Sequence, residues 1–307
     1  MKSMKSIIKG FGILAAGSFL LTACPSPDQP QDDIQIETPP KTQNTDTVKV
    51  LPVTKVDGAM FSIPSPIQLG RVIQKSGAPY NQDILNDPTA SEGYIDLASQ
   101  SLNLGIYGAD LGYCALYDKQ QESLGFMKSA QKLSDVLGIS DAFDVETIKA
   151  IQRNLDNKDS LLYLISNSYR KADDYLQTSD RKQIGALVIV GGWIESLHFA
   201  GILGKGNKSA DVVEMIGMQK HTINTILDKM LERYIVEPGV EEIYNDLDEI
   251  RMVFEKVNIK YEYVAPVTDK EKKTTTLKSK TTVEISDEVF NEIVEKIEVF
   301  RTKVTKV

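Results

Sequence analysis

From residue 66 to the C-terminus, apolar side chains recur three and four positions apart, the period of an α-helix. The clearest row is Val240, Ile243, Leu247, Ile250, Phe254, Val257 and Tyr261, which predicts a helix over 239–262. A second row, Leu162, Ile165, Tyr169, Ala172 and Leu176, lies inside a helix expected over 159–177. Ser65-Pro66 opens a short helix ending near Gly77, and a turn over Tyr80–Leu85 is stopped by Asn86-Asp87-Pro88. One long helix is expected from about Ala90 to Leu137, kinked near Gly125, with others at 142–156, 181–203 and 208–235. Residues 264–283, with the run Asp269-Lys270-Glu271-Lys272-Lys273 and many threonines, break the period and read as an exposed charged loop. Ser286 then caps a last helix over 284–307, with Asp287 and Glu288 where the helix dipole favours acids and a stripe of Phe290, Ile293, Ile297, Phe300 and Val304.

These seams suit near-antiparallel packing at small crossing angles. They also suit a dimeric coiled coil, but the short connections favour packing within the chain. No fixed-period repeat argues for a solenoid. The fold class that follows is all-α: an antiparallel multi-helix bundle over 66–263, a charged loop, and a C-terminal amphipathic helix. Residues 25–65 differ in kind. Eight of the twelve prolines precede residue 67, among Gln, Asp and Thr without apolar period. Such a segment buries too little surface to offset its conformational entropy and is expected to be a disordered tether. A flexible coil of about 40 residues spans roughly 35 Å, giving either clearance from a surface or plain spacing.

The first residues form a separate unit. Lys2, Lys5 and Lys9 precede an apolar stretch from Phe11 to Leu21, followed by Leu21-Thr22-Ala23-Cys24. A basic head, an apolar core too short for a durable span and small residues at the end make a signal peptide over 1–23. The last four residues resemble the lipobox of bacterial lipoproteins. That resemblance implies acylation of Cys24, a membrane partner through that lipid, and a place in the cell envelope. Pro25, where an acid would mark inner-membrane retention, favours the outer membrane. A plain secretory signal with a chance cysteine is the competing reading.

Removing the signal takes the formal charge from -8 to -11, which disfavours nucleic acid as a partner. With Cys24 acylated, Cys114 has no intramolecular disulfide partner, and one cysteine with two histidines builds no zinc pattern. No cofactor and no metal are expected, and the core must be hydrophobic.

Polar residues stand out in two helices. Ile184–Leu203 is apolar almost all round except for Glu195, Ser196 and His198. Its length would cross a bilayer, but an acid and a histidine near the middle are costly there, which favours a central bundle helix. Glu195 and His198 stand three apart, the spacing of ferritin-like metal ligands, but no second such pair exists. A buried pair seeking hydrogen bonds is the plainer reading, with the Tyr107 and Asp110 side of the long helix as the candidate neighbour. On that helix Asp96, Asn103, Tyr107, Asp110, Cys114, Tyr117 and Gln121 fall on one side. A solvated face accounts for the acids; a groove shared with another helix accounts for Tyr107, Cys114 and Tyr117.

The stretch from Ile63 to Leu203, with IPSPIQLG, LNLGIYGADLGY, NKDSLLYLIS and ALVIVGGWIESL, resembles lipoproteins of Bacteroidota-type bacteria, a resemblance that implies no activity. No phosphate loop, nucleophile elbow or His-Glu-x-x-His motif occurs, so no catalytic residue is assigned. The expectation is a non-catalytic envelope component that docks other proteins, with a small-ligand-binding module as the alternative and an enzyme third.

Overall fold

Two helices cross with almost nothing between their backbones. In the computed structural model of the chain, which describes residues 54–56, 59–61, 63–140, 145–154, 157–167, 181–206, 209–269 and 273–307, these are α2 (Leu97–Leu116) and α6 (Lys182–Gly206). A Cβ placed on Gly105 would lie 2.0 Å from the Val188 carbonyl oxygen, and one on Gly191 would lie 1.9 Å from that of Leu102. Only glycine permits this approach. Beyond this crossing Asp110 comes beside Glu195 and the Tyr113 ring meets that of Phe199 at 4.7 Å, so the two helices run parallel, an exception to the antiparallel packing expected of the bundle. By length and composition α6 could cross a membrane, yet 83% of its most apolar window is buried inside the protein. It is the bundle's central helix.

The remaining helices cover this pair. Helix α1 (Pro66–Lys75) starts from a capping box in which Ser65 and Gln68 satisfy each other's backbone N–H. It lies across α2 and α6. On one side α3 (Gln120–Val136), α4 (Val145–Arg153) and α5 (helical over 158–167) enclose Tyr107, Leu111, Phe126, Leu133, Ile151 and Leu162. On the other, α7 (Ala210–Thr225), a π-helical turn over Ile226–Leu231, α8 (Val240–Phe254) and α9 (Asp287–Thr305) enclose Trp193, Leu197, Ile223, Leu247 and Ile293.

The expected seams therefore close within the chain. Val240, Ile243, Leu247, Ile250 and Phe254 of α8 share one core with Phe290, Ile293, Ile297 and Phe300 of α9. Each fully buried apolar side chain is worth about 1.5–3 kcal/mol, so the α9 stripe is a substantial part of the fold. Ser286 accepts from the Val289 N–H as the sequence implied. Exposed ion pairs link α8 and the turn after it to α9, as in Lys296–Glu249 (2.7 Å) and Lys256–Glu292 (2.7 Å), and add little energy.

Four further expectations need correction. The long helix over 90–137 is two helices: Tyr117-Asp118-Lys119 breaks it, with Asp118 left-handed at φ 57, while Gly125 sits inside a regular α3. Short-chain Asp tolerates that conformation better than most residues. The helix over 239–262 ends at Phe254, because the chain turns into β3 (Asn258–Glu262). The segment 264–283 is not a loop. It carries β4 (Val267–Asp269), β5 (Thr274–Thr276) and the start of β6 (Lys280–Glu284), with β3 paired to β6 and β4 to β5, all antiparallel. Its threonines are strand formers on a pleated surface. The stretch expected as tether also ends in a hairpin, β1 (Thr54–Val56) with β2 (Ala59–Phe61); residues 1–53 lie outside the described residues, as do Tyr169, Ala172 and Leu176.

The crossing sets a test. Gly191→Ala should destabilise by about 1–3 kcal/mol, because a methyl group must force two backbones apart. Gly125→Ala, where the added Cβ meets only Pro88 at 3.7 Å, should stabilise by about 0.5–1 kcal/mol through helix propensity. Urea unfolding of both variants checks the contrast; equal effects would mean that the α2–α6 contact is looser than described.

Candidate functional site

The polar side of α2 is buried, contrary to a solvated face. Asn103, Tyr107, Asp110 and Cys114 have 0% exposure. Asp96 is exposed as the α2 N-cap, Gln121 is exposed, and Tyr117 is half-buried. The cover is the chain between α1 and α2, whose backbone polar groups need partners once they leave water. The α2 side chains supply them. Tyr117 donates to the Ala78 carbonyl (2.8 Å), Tyr107 to that of Asp87 (2.8 Å), and the Tyr113 hydroxyl accepts from the Asn81 N–H (3.1 Å). Asn86 is the reciprocal element: its N–H approaches Asp110 Oδ1 at 3.5 Å and its amide reaches Tyr94 and Asn103, each at 3.4 Å. The polar row is thus an attachment strip for an irregular segment.

A second buried polar group sits where α6 meets α9. Glu195 is 0% exposed, and Arg301 of α9 holds it with two parallel bonds, Nε to Oε2 at 2.7 Å and Nη2 to Oε1 at 2.8 Å. His198, 3% exposed, donates Nε2–H to the Ile84 carbonyl (2.8 Å), which also accepts from Arg301 Nη2 (3.2 Å). On its other side, His198 Nδ1 is hydrogen-bonded to Glu298 Oε1. The pairing of 195 with 301 and 198 with 298 shows that α6 and α9 are antiparallel. The end of α9 is held from α2 as well: Asn103 Nδ2 donates to the Val304 carbonyl (2.7 Å) and Tyr94 to that of Thr305 (3.2 Å).

The two polar groups meet at Asp110. Burial, and then the neighbouring Glu195 carboxylate, raise the Asp110 pKa well above the ordinary aspartate range, with Arg301 opposing. Its Oδ2 is buried without a partner when both groups are treated as carboxylates. A protonated Asp110 resolves this, because Oδ2–H then donates to Glu195.

Burial holds the thiol and phenols of α2 in their neutral forms. Cys114 is fully buried and its thiol is pushed up to about 12, mainly by burial. Burial likewise raises Tyr113 to about 12 and Tyr107 further. Glu195 and His198 do not form a ligand pair, since they point to different residues of α9. Among the described residues no group of three or more His, Cys, Asp or Glu converges on a point.

Family models, curated proteins and solved structures give no match to this chain.

Of the residues singled out from sequence, Glu195, Asp110 and Tyr107 come together in one buried region with His198 on the turn beside it. Cys114 and Tyr117 lie further along α2, near Tyr80 and Tyr113. The arrangement adds Arg301, Glu298 and Asn86. Arg301 and Glu298 follow Val294 at helical spacing on the border of the α9 stripe, a signal that places them beside the core without showing which way they face. Elsewhere an open groove of about 700 Å³ runs between the start of α7 and β6, lined by Ala210, Val213, Glu214, Lys280, Thr282 and Ser286.

A protonated Asp110 has a signature. The folded state keeps this proton to a higher pH than the unfolded chain does. The stability tied to it is complete below the ordinary aspartate range and is lost as pH rises toward the raised pKa. Asp110→Asn retains the shape and the donor to Glu195 but cannot ionise. Between about pH 4 and 8 its advantage over the native chain should therefore grow with pH. Urea midpoints across that range test this; parallel profiles would mean that Asp110 is ionised in the fold.

Proposed function

We propose that this chain is a membrane-anchored envelope lipoprotein, held by acyl chains on Cys24 with the outer membrane favoured, whose helical bundle is a non-catalytic interaction component. The observation that carries the reading is Leu21-Thr22-Ala23-Cys24, placed directly after a basic head and an apolar core. Two or more acyl chains on one residue give the stable anchoring that a single chain does not. The bundle interior supports the non-catalytic part. Its buried acids, histidine and tyrosines are engaged with Arg301, Glu298, Ile84, Asp87 and the α9 terminus, so they hold the fold together and are not free to turn toward a substrate.

The α7–β6 groove favours a second reading, a binding module for a small ligand. Its volume falls in the range of small-molecule sites, but it is open and its lining is partly charged. An interaction partner is better sought on the outer surface.

Cys24→Ser should abolish incorporation of a labelled fatty acid and leave uncleaved precursor. Metabolic labelling followed by separation of membrane and soluble fractions decides it. Label retained in the variant would mean that the cysteine is not the acylation site.

A further inference from the structure

The β3–β6 ribbon has two halves with different surroundings. In its base, Ile259 stands opposite Val283, and both pack on the core. Val283 sits against Gly217 of α7 so closely that a Cβ there would lie 2.3 Å from Val283 Cγ1. Side chains two apart on a strand share a face. The face that begins with Ile259 therefore continues through Tyr261, and Tyr263 follows in the same alternation. These two are not covered: Tyr261 is 66% and Tyr263 69% exposed. Residues 261–268 and 273–278 are all exposed. The same exposed segment carries Val264, Val267 and, at 77% exposure, Leu277. The outer half is nevertheless ordered as a ribbon. Val264 and Ser279 bond reciprocally, N–H to Oγ at 3.1 Å and Oγ–H to O at 3.2 Å, and Thr268 meets Thr275 at 3.1 Å.

The charge of this segment is opposite to that of the molecule. Residues 263–283 contain Lys270, Lys272, Lys273, Lys278 and Lys280 against Asp269 and Glu271, a net +3 on a chain of net charge -8. Tyrosines, aliphatic side chains and lysines together are the composition that settles at a membrane–water interface, where aromatic rings sit at headgroup depth and lysines meet anionic headgroups. Lysines on an open strand edge also oppose strand addition by another protein, so lipid is favoured over a protein strand as the occupant.

We infer that the outer half of the ribbon, around Tyr261, Tyr263, Val267 and Leu277, docks on an anionic phospholipid surface and orients the bundle against it. The inference rests on the lipoprotein reading, which keeps the ribbon near a bilayer. At the high effective concentration that a tether provides, a contact too weak to hold the chain alone is enough to orient it.

Brominated lipids test this with the full chain incorporated into vesicles of phosphatidylcholine with or without phosphatidylglycerol. Leu277→Trp places an indole on the ribbon, while Trp193, 1% exposed in the core, remains an unquenched internal reference. The expected result is quenching of the added indole on vesicles containing phosphatidylglycerol and its loss with phosphatidylcholine alone. The variant Lys273→Gln with Lys278→Gln should weaken the contact about fivefold per lysine. Flotation of the vesicles reads the anchor separately. A chain that floats with an unquenched indole overturns the inference and leaves the lipoprotein reading intact. A chain that does not float overturns the lipoprotein reading. The ribbon is then judged by titrating anionic vesicles to millimolar lipid, where quenching supports it and no quenching overturns it.

Discussion

A charged group taken out of water must be met by another, and in this protein the Glu195–Arg301 pair is where that demand falls. Glu195 lies on the most apolar of the described helices, with no exposed side to turn toward. Removing one partner of a buried ion pair costs about 3–5 kcal/mol, because the other charge is left without compensation. The central helix is therefore incomplete without the C-terminal one. Arg301 comes from the far end of the sequence, so the last helix is a required wall of the bundle and its apolar stripe is aligned by a bidentate bond.

The same constraint orders the irregular parts. The segment between α1 and α2 has no regular hydrogen-bond ladder, and the polar row of α2 provides its partners one by one through Tyr107, Asp110, Tyr113 and Tyr117. Ile84 links the two systems, since its carbonyl accepts from both His198 and Arg301. Loop, central helix and tail helix thus share one polar junction. Asp110, next to it, has its pKa raised by burial and by the Glu195 carboxylate, with Arg301 opposing. The backbone contact of α2 with α6 at Gly105 and Gly191 brings Asp110 within reach of Glu195, so packing and electrostatics depend on each other here.

Parts of this were legible in the sequence and parts were not, for physical reasons. The Ser65 and Ser286 caps, the α8 row and the α9 stripe are local signals with one meaning, and each appears where expected. Glu195 and His198 in an apolar helix announced a need for partners, and the Asp110 side of α2 was the right neighbour. Arg301 and Glu298 were hidden because a charged residue at the border of an amphipathic stripe looks the same whether it faces water or a buried acid. The burial of the α2 polar row depends on a loop folding over it, which periodicity within a helix cannot reveal. Val257 and Tyr261 continued the α8 row by spacing, although the alternation of Ile259, Tyr261 and Tyr263 was the signal that applied. The threonine and lysine content of 264–283 suited solvent exposure, which holds for 264–268 and 273–278, and concealed strand pairing, which needs only a partner across the turn.

The central claim is that Glu195 and Arg301 act as a unit joining the last helix to the core. A double-mutant cycle measures this most directly, with Glu195→Gln, Arg301→Met and the double variant compared by urea unfolding. The account predicts a coupling of about 1–3 kcal/mol, with the double variant more stable than the two single losses added together. Additive losses would contradict it and would mean that the helices are joined by apolar packing alone.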